Sequence, residues 1–176
     1  VRAGLIFRSK DSYRFLHDRV QEAAYSLIPQ ELRPAAHLRI GRLLAAHTPS
    51  EELEDRIFEI VNQLNRSSHL ITSTEERERV ADLNFIAGRH ANASAAYASA
   101  LNYLAAGRAL LTEDSWDHNY ELIFNIEFYI AECELLTANK VAAENRLSML
   151  AQRARSAHDI AIVARLRLTL YQTMDR

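Results

Sequence analysis

The stretch IAGRHANASAAYASALNYLAAG, residues 86–107, decides how the chain is read. It is rich in alanine, free of proline, and interrupted once, at the polar triplet Asn92–Ser94. Alanine and straight-chain residues favour helix, and a short polar interruption favours a tight reversal between two helices. Gly88, Ala100, Leu104 and Gly107 stand at relative positions 0, 12, 16 and 19. Small residues at the first two positions let two helices approach closely, and the later two fill the space between successive hairpins. The same offsets recur 43 residues on, in IAECELLTANKVAAENRLSMLA (residues 130–151), at Ala131, Ala143, Leu147 and Leu150.

Outward from this pair, the spacing predicts helical segments over 75–91, 94–112, 116–137, 140–155 and 158–174. The breaks between them are only a few residues long, so neighbours should form antiparallel hairpins. Rows of such hairpins read as an α-solenoid, and the alternation of small and large residues matches tetratricopeptide spacing. The 43-residue separation exceeds the usual ~34 of that repeat, and the aromatic expected near the start of the first helix is missing. The last stretch, ARLRLTLYQTMDR, reads as the first helix of a third unit. Without a partner helix it would expose Ile160, Val163, Leu166 and Leu170, which makes a homodimer through this helix an expectation.

The other half of the chain is more varied. Residues 5–16 hold two runs of aromatic and branched residues around the turn-prone Ser9–Ser12, a β-hairpin signal. A helix over about 18–28 should follow, with Val20, Ala23, Ala24 and Leu27 on one face and Pro29 closing it. A second, over about 31–46, tolerates Pro34 in its first turn and turns Leu38, Leu43 and Leu44 to the core beside Ala35 and Ala45. Thr48, Pro49 and Glu51 read as the start of a third helix, with Thr48 as its cap and Glu51 reaching back. That helix carries Leu53, Ile57, Ile60, Val61 and Leu64, an amphipathic stripe. The expected division is a hairpin-plus-helix unit at 1–30, connecting helices at 31–72 and helical repeats at 73–176.

Composition narrows the function classes. Hydrophobic residues make up 48% and charged residues 25% of the 176, and the net charge is −2. That balance argues against a surface built to neutralise phosphates. A single cysteine, Cys133, excludes an internal disulfide, and no apolar run approaches the ~20 residues of a membrane span. A cytoplasmic setting is the expectation, as is origin in a longer protein, since the chain starts without Met.

Candidate chemistry is sparse. His17, Asp18 and Arg19 stand in the wrong order for a kinase catalytic loop, and Ala23 occupies the place of its metal-binding Asn. Asp18 suits the first turn of a helix, and Arg19 with Glu22 suits a local pair. The seven histidines (17, 37, 47, 69, 90, 118 and 158) show no metal-ligand spacing among themselves or with Cys133. They read as solvated or capping side chains, and Cys133 as a packed one. No phosphate loop or dinucleotide fingerprint occurs. Tyr97, Tyr103, Trp116, Tyr120, Phe124, Phe128 and Tyr129 fall at helical spacing and read as core. No catalytic, metal or cofactor-binding residue is expected in this segment.

A resemblance sharpens the picture. YRFLHDRVQEAAYSLIPQELRPAAHLRIGRLL (13–44), then IFEIVNQLNRSSHLI (57–71), resembles the region after the ATPase core of large bacterial signalling proteins. Those join an AAA-like, STAND-type ATPase to serine/threonine kinase, GAF and sensor histidine kinase domains. The most telling piece is Phe15 to Tyr25. The resemblance implies a winged-helix tail running into tetratricopeptide-like repeats, with ATP bound in other domains. It implies a non-catalytic regulatory module that binds a protein partner or another domain of the same chain. Two other readings remain open: duplex DNA binding through the hairpin as a wing, tinted basic by Arg8, Lys10, Arg14 and Arg19, and an all-α enzyme whose carboxylates gather only in space.

Overall fold

The structure, a computed structural model, describes residues 5–9 and 12–174. It begins with two antiparallel strands, β1 (Ile6–Ser9) and β2 (Ser12–Phe15), with Ile6 opposite Phe15 and Ser9 opposite Ser12. The centre of the expected turn, Lys10 and Asp11, and the side chains of Arg8 and Arg14 lie outside the described residues. Everything after β2 is helical or connecting: α1 (Asp18–Ser26), α2 (Arg33–His47), α3 (Leu53–Asn65), α4 (Thr74–Ala93), α5 (Tyr97–Leu110), the short α6 (Ser115–His118), α7 (Tyr120–Leu136), α8 (Lys140–Arg153) and α9 (Ala157–Met174).

Dense packing joins sequence neighbours: α2 with α3, α4 with α5, and α7 with α8 form hairpins, and α3–α4, α5–α7 and α8–α9 are the joints between them. The repeat read from the sequence is visible in burial. Gly88, Ala100, Leu104 and Gly107 are buried, as are Ala131, Ala143, Leu147 and Leu150. A methyl group on Gly88 would lie 2.5 Å from Leu104 Cγ, so this glycine exists to let α5 close on α4. Gly41 stands in the same relation to Leu64, where a methyl would lie 2.6 Å from Cδ2. Ile60, Leu64 and Ser67 are buried at the spacing of Ala100, Leu104 and Gly107, so the α2–α3 hairpin closes on the same pattern.

The reversals are equally alike. After α4, Ala95 adopts φ 57°, with Ala96 N–H donating to Ala91 O (2.9 Å) and Ala95 N–H to Asn92 O (2.9 Å). After α7, Ala138 adopts φ 63°, with Asn139 N–H donating to Glu134 O (2.8 Å) and Ala138 N–H to Leu135 O (3.1 Å). Both are Schellman ends, in which a left-handed residue lets two terminal carbonyls be satisfied. Ser73, in the stretch TSTEE (residues 72–76), caps α4 by accepting from Glu76 N–H (3.4 Å).

Several local expectations change. Thr48 closes α2 instead of opening α3: its hydroxyl and its N–H both donate to Leu44 O (2.7 and 3.0 Å). A 3-10 turn over Ser50–Glu52 intervenes, without a side-chain cap. The segment expected over 116–137 breaks at Asn119, because Trp116 turns inward, 4% exposed, and Arg153 lies over its ring at 4.5 Å. On α2, Leu43 is exposed, and His37 and Gly41 face inward beside Leu38. On α1 no residue is buried: Val20 and Ala24 of the expected face are half-buried, Ala23 is exposed, and Leu27, just past the end of the helix, is 83% exposed. On α9, Val163, Leu166 and Leu170 are buried against the preceding helices, and of the expected exposed row only Ile160 is exposed.

Among the described residues no helix is long and apolar enough to cross a membrane.

Candidate functional site

Four residues before the small residue of each first helix stands a buried polar side chain: His37 before Gly41, Asn84 before Gly88, Glu127 before Ala131. A polar group at a core position costs free energy unless it finds a partner. Each finds one on the element before it. Tyr25 of α1 donates its hydroxyl to His37 Nε2 (3.0 Å), and His37 Nδ1 donates to Gln63 Oε1 (2.6 Å). Asn65 of α3 and Asn84 exchange two amide hydrogen bonds (2.8 and 2.9 Å), and Asn84 Nδ2 also donates to Val80 O. Arg108 of α5 donates Nε–H to Glu127 Oε1 (2.6 Å). At the next joint the signs reverse, with Arg167 of α9 donating to Glu144 Oε1 of α8 (3.0 Å) and to Ser148 Oγ.

The third joint is the most heavily charged. Glu127 also accepts from Arg146 of α8, which holds Glu134 with two bonds (3.1 and 3.0 Å). Arg108 extends the chain of charges to Glu113 (3.3 Å), which also takes Arg153 (3.0 Å). Burial lowers the Arg146 pKa, yet Glu134 and Glu127 outweigh it and hold the guanidinium above its ordinary value. Beside this network runs a groove of about 460 Å³ over α5, floored by Ala105 and Ala109 and walled by Ile130 and Arg146. Through Asn102 it meets a smaller, amide-rich groove of about 230 Å³ lined by Asn62, Asn65, Ser99 and Tyr103. Together they offer hydrogen-bond donors, acceptors and charge along one face of α5.

The residues singled out from sequence do not converge on this face. His17 flanks the start of α1 in extended conformation, and Asp18 lies in its first turn, as a helix start requires. Among the described residues no ion pair joins Arg19 to Glu22; the local pairs are Arg56–Glu59 and Arg79–Glu75. His37 is a buried joint residue, contrary to the solvated or capping role expected of it. His118 meets Glu78 (2.7 Å), His47 donates to Leu43 O (2.8 Å), and His90 stacks on Phe58. Cys133 is buried, and burial, then Glu132 and Glu134, push its thiol up to about 11, which leaves it protonated and inert at neutral pH. Trp116, Phe124 and Phe128 are core, while Tyr97, Tyr103, Tyr120 and Tyr129 are half-buried. Among the described residues no three of His, Cys, Asp and Glu gather as metal ligands.

Sequence reasoning missed the joint residues. The signal that could have found them is a polar residue inside an apolar face, one helical turn before a close-packed small residue.

No protein-family model matches the chain, and no solved structure does. Among curated proteins, it is similar to hybrid signal transduction histidine kinase G of Dictyostelium discoideum, 30% identical over 183 residues. The match takes in 90% of this chain and 5% of that protein, so the chain spans about 5% of the length of the relative it resembles.

Proposed function

We propose that this chain is a non-catalytic regulatory module of a signal-transduction kinase, binding a protein partner or another domain and coupling that event to kinase output. The observation that carries the reading is the repeated register of closure, in which Gly41, Gly88 and Ala131 each meet a leucine-centred second helix. A chain that spends its regularities on stacking hairpins builds extended faces for recognition, as tetratricopeptide-like solenoids do. The similarity to a hybrid histidine kinase supports a signalling context. On this reading the β1–β2 hairpin and α1 are the tail of a winged-helix unit, and ATP is bound by an AAA-like, STAND-type core elsewhere in the protein. The strong acids and bases of the α5 face are tied to one another as structural ties, not aimed at a reacting group.

Mechanistically, a partner that binds one arrangement of module and ATPase core more tightly than another shifts the population towards it, by no more than that difference in affinity. The test compares ATP turnover and phosphotransfer by the full-length kinase with and without this segment, in the presence of its partner. A change in either rate, or loss of partner binding, is expected. Unchanged turnover together with unchanged partner binding would refute the module.

A further inference from the structure

Along one face of α5 the exposed side chains are small or neutral. Ser99, Asn102, Ala105 and Ala109 follow one another at helical spacing, with α3 on one side and α7 and α8 on the other. They line the two grooves, of about 230 and 460 Å³, that Asn102 joins. From Ser99 to Ala109 the helix rises about 15 Å, the length of about four or five residues of extended chain.

The polar groups around this face are of two kinds. The charged ones are already paired: Glu134 takes two bonds from Arg146 (3.1 and 3.0 Å), and Arg108 donates to Glu127, Glu113 and Leu111 O. The neutral ones are not. Among the described residues Ser99 and Asn102 make no side-chain hydrogen bond, and Asn62 makes one, accepting from the Tyr103 hydroxyl (3.2 Å). Tyr103 rests against Phe58, ring centroids 5.4 Å apart, so the Asn62 carboxamide is held in place with its Nδ2 still to donate. The larger groove adds an apolar lining from Leu101, Leu111 and Ile130.

We propose that the α5 groove is the docking site for an extended, uncharged segment of a protein partner, recognised through its backbone by Asn62 and Asn102 and anchored by one aliphatic side chain against Ile130. A carboxamide presents N–H and C=O side by side, as a peptide unit does, and so complements a backbone whose own groups are open. An extended segment has them open; a helix satisfies its own internally and offers none. A charged segment would lose hydration here against ions that already neutralise one another, so nothing offsets its cost. The inference rests on the interaction-module reading and names one place and one kind of partner for it.

The probe is the capped peptide acetyl-Ser-Gly-Leu-Gly-Ser-amide, titrated into the isotope-labelled 176-residue protein while magnetic resonance follows the side-chain amide signals of Asn62 and Asn102. Saturable shifts of both are expected, indifferent to salt and weakened about fivefold, the worth of one hydrogen bond, by Asn102→Ala. N-methylation of the peptide backbone beside its leucine should weaken binding at least as much, since it removes a donor and keeps every side chain. Asn102 is exposed, so the melting curve of its variant should match the parent and separate lost docking from lost folding. Absence of saturable shifts, or binding indifferent to Asn102→Ala or to N-methylation, would overturn the proposal. The same two signals standing at their bound positions in the full-length kinase without peptide would also overturn it, by giving the groove to the chain itself. Deletion of the segment altering kinase output without any peptide binding would sink this groove and leave the module standing.

Discussion

Gly88 faces Leu104 so closely that even a methyl group has no place, 2.5 Å from Cγ. In an open helix, Gly→Ala gains about 1 kcal/mol of propensity. Here the added carbon meets the branch point of a fully buried leucine, and overpacking of that kind costs about 1–3 kcal/mol. Gly88→Ala should therefore lower stability in urea unfolding, against its propensity. Its cost should shrink when Leu104→Ala is also present, because the two side chains compete for one space. The opposite holds at Ala138, whose left-handed φ of 63° is a conformation that glycine adopts freely. Ala138→Gly should raise the melting temperature, the relief of about 1 kcal/mol exceeding the entropy gained by the unfolded chain. Cys133 offers a chemical check: with its thiol pushed up to about 11, it should resist alkylation in the native protein and react on unfolding.

Between elements, stability rests on apolar closure and on polar ties that differ at each joint: phenol to imidazole, amide to amide, guanidinium to carboxylate, and the reverse. Similar hairpins could stack in shifted registers, and unlike polar pairs make each wrong pairing leave a buried group unsatisfied. The Glu127 joint is the sharpest test. Glu127→Gln removes the charge shared by Arg108 and Arg146 and turns one acceptor into a donor that faces a donor. Because both guanidinium groups remain partly in water, the loss should be about 2–3 kcal/mol, below that of a fully buried pair. Chemical denaturation measures it. Replacing Glu127 and Arg108 together with leucine should cost less than the single change, since no charge is then left alone.

Across the whole molecule, burial is uneven. The row from α2 to α9 shares a continuous core, whereas α1 buries nothing and is tied to α2 by Tyr25, which bonds His37 and lies under Arg33 at 4.6 Å. Segments with few buried contacts open first. Limited proteolysis should cut between residues 27 and 32, and the fragment from α2 onward should keep the melting temperature of the intact chain. Resistance at that link, or a fragment that melts early, would mean that α1 supports the fold more than its burial indicates.

The helices and their closing register were legible before any coordinates, because helical periodicity, small residues at close contacts and short polar breaks are written within a dozen neighbouring positions. So was the packing of Cys133, set within a helical pattern. The joints were not legible: Asn65 meets Asn84 across 19 residues and Asn92 meets Glu132 across 40, distances over which one sequence carries no sign of who faces whom. The exposure of Leu27 and the inward turn of Trp116 belong to the same class. Local sequence chose the elements through hydrogen bonding and rotamer preference inside each helix. Only tertiary packing decided which polar groups are paid for in buried bonds and which apolar faces stand open, since both depend on what a distant part of the chain brings alongside.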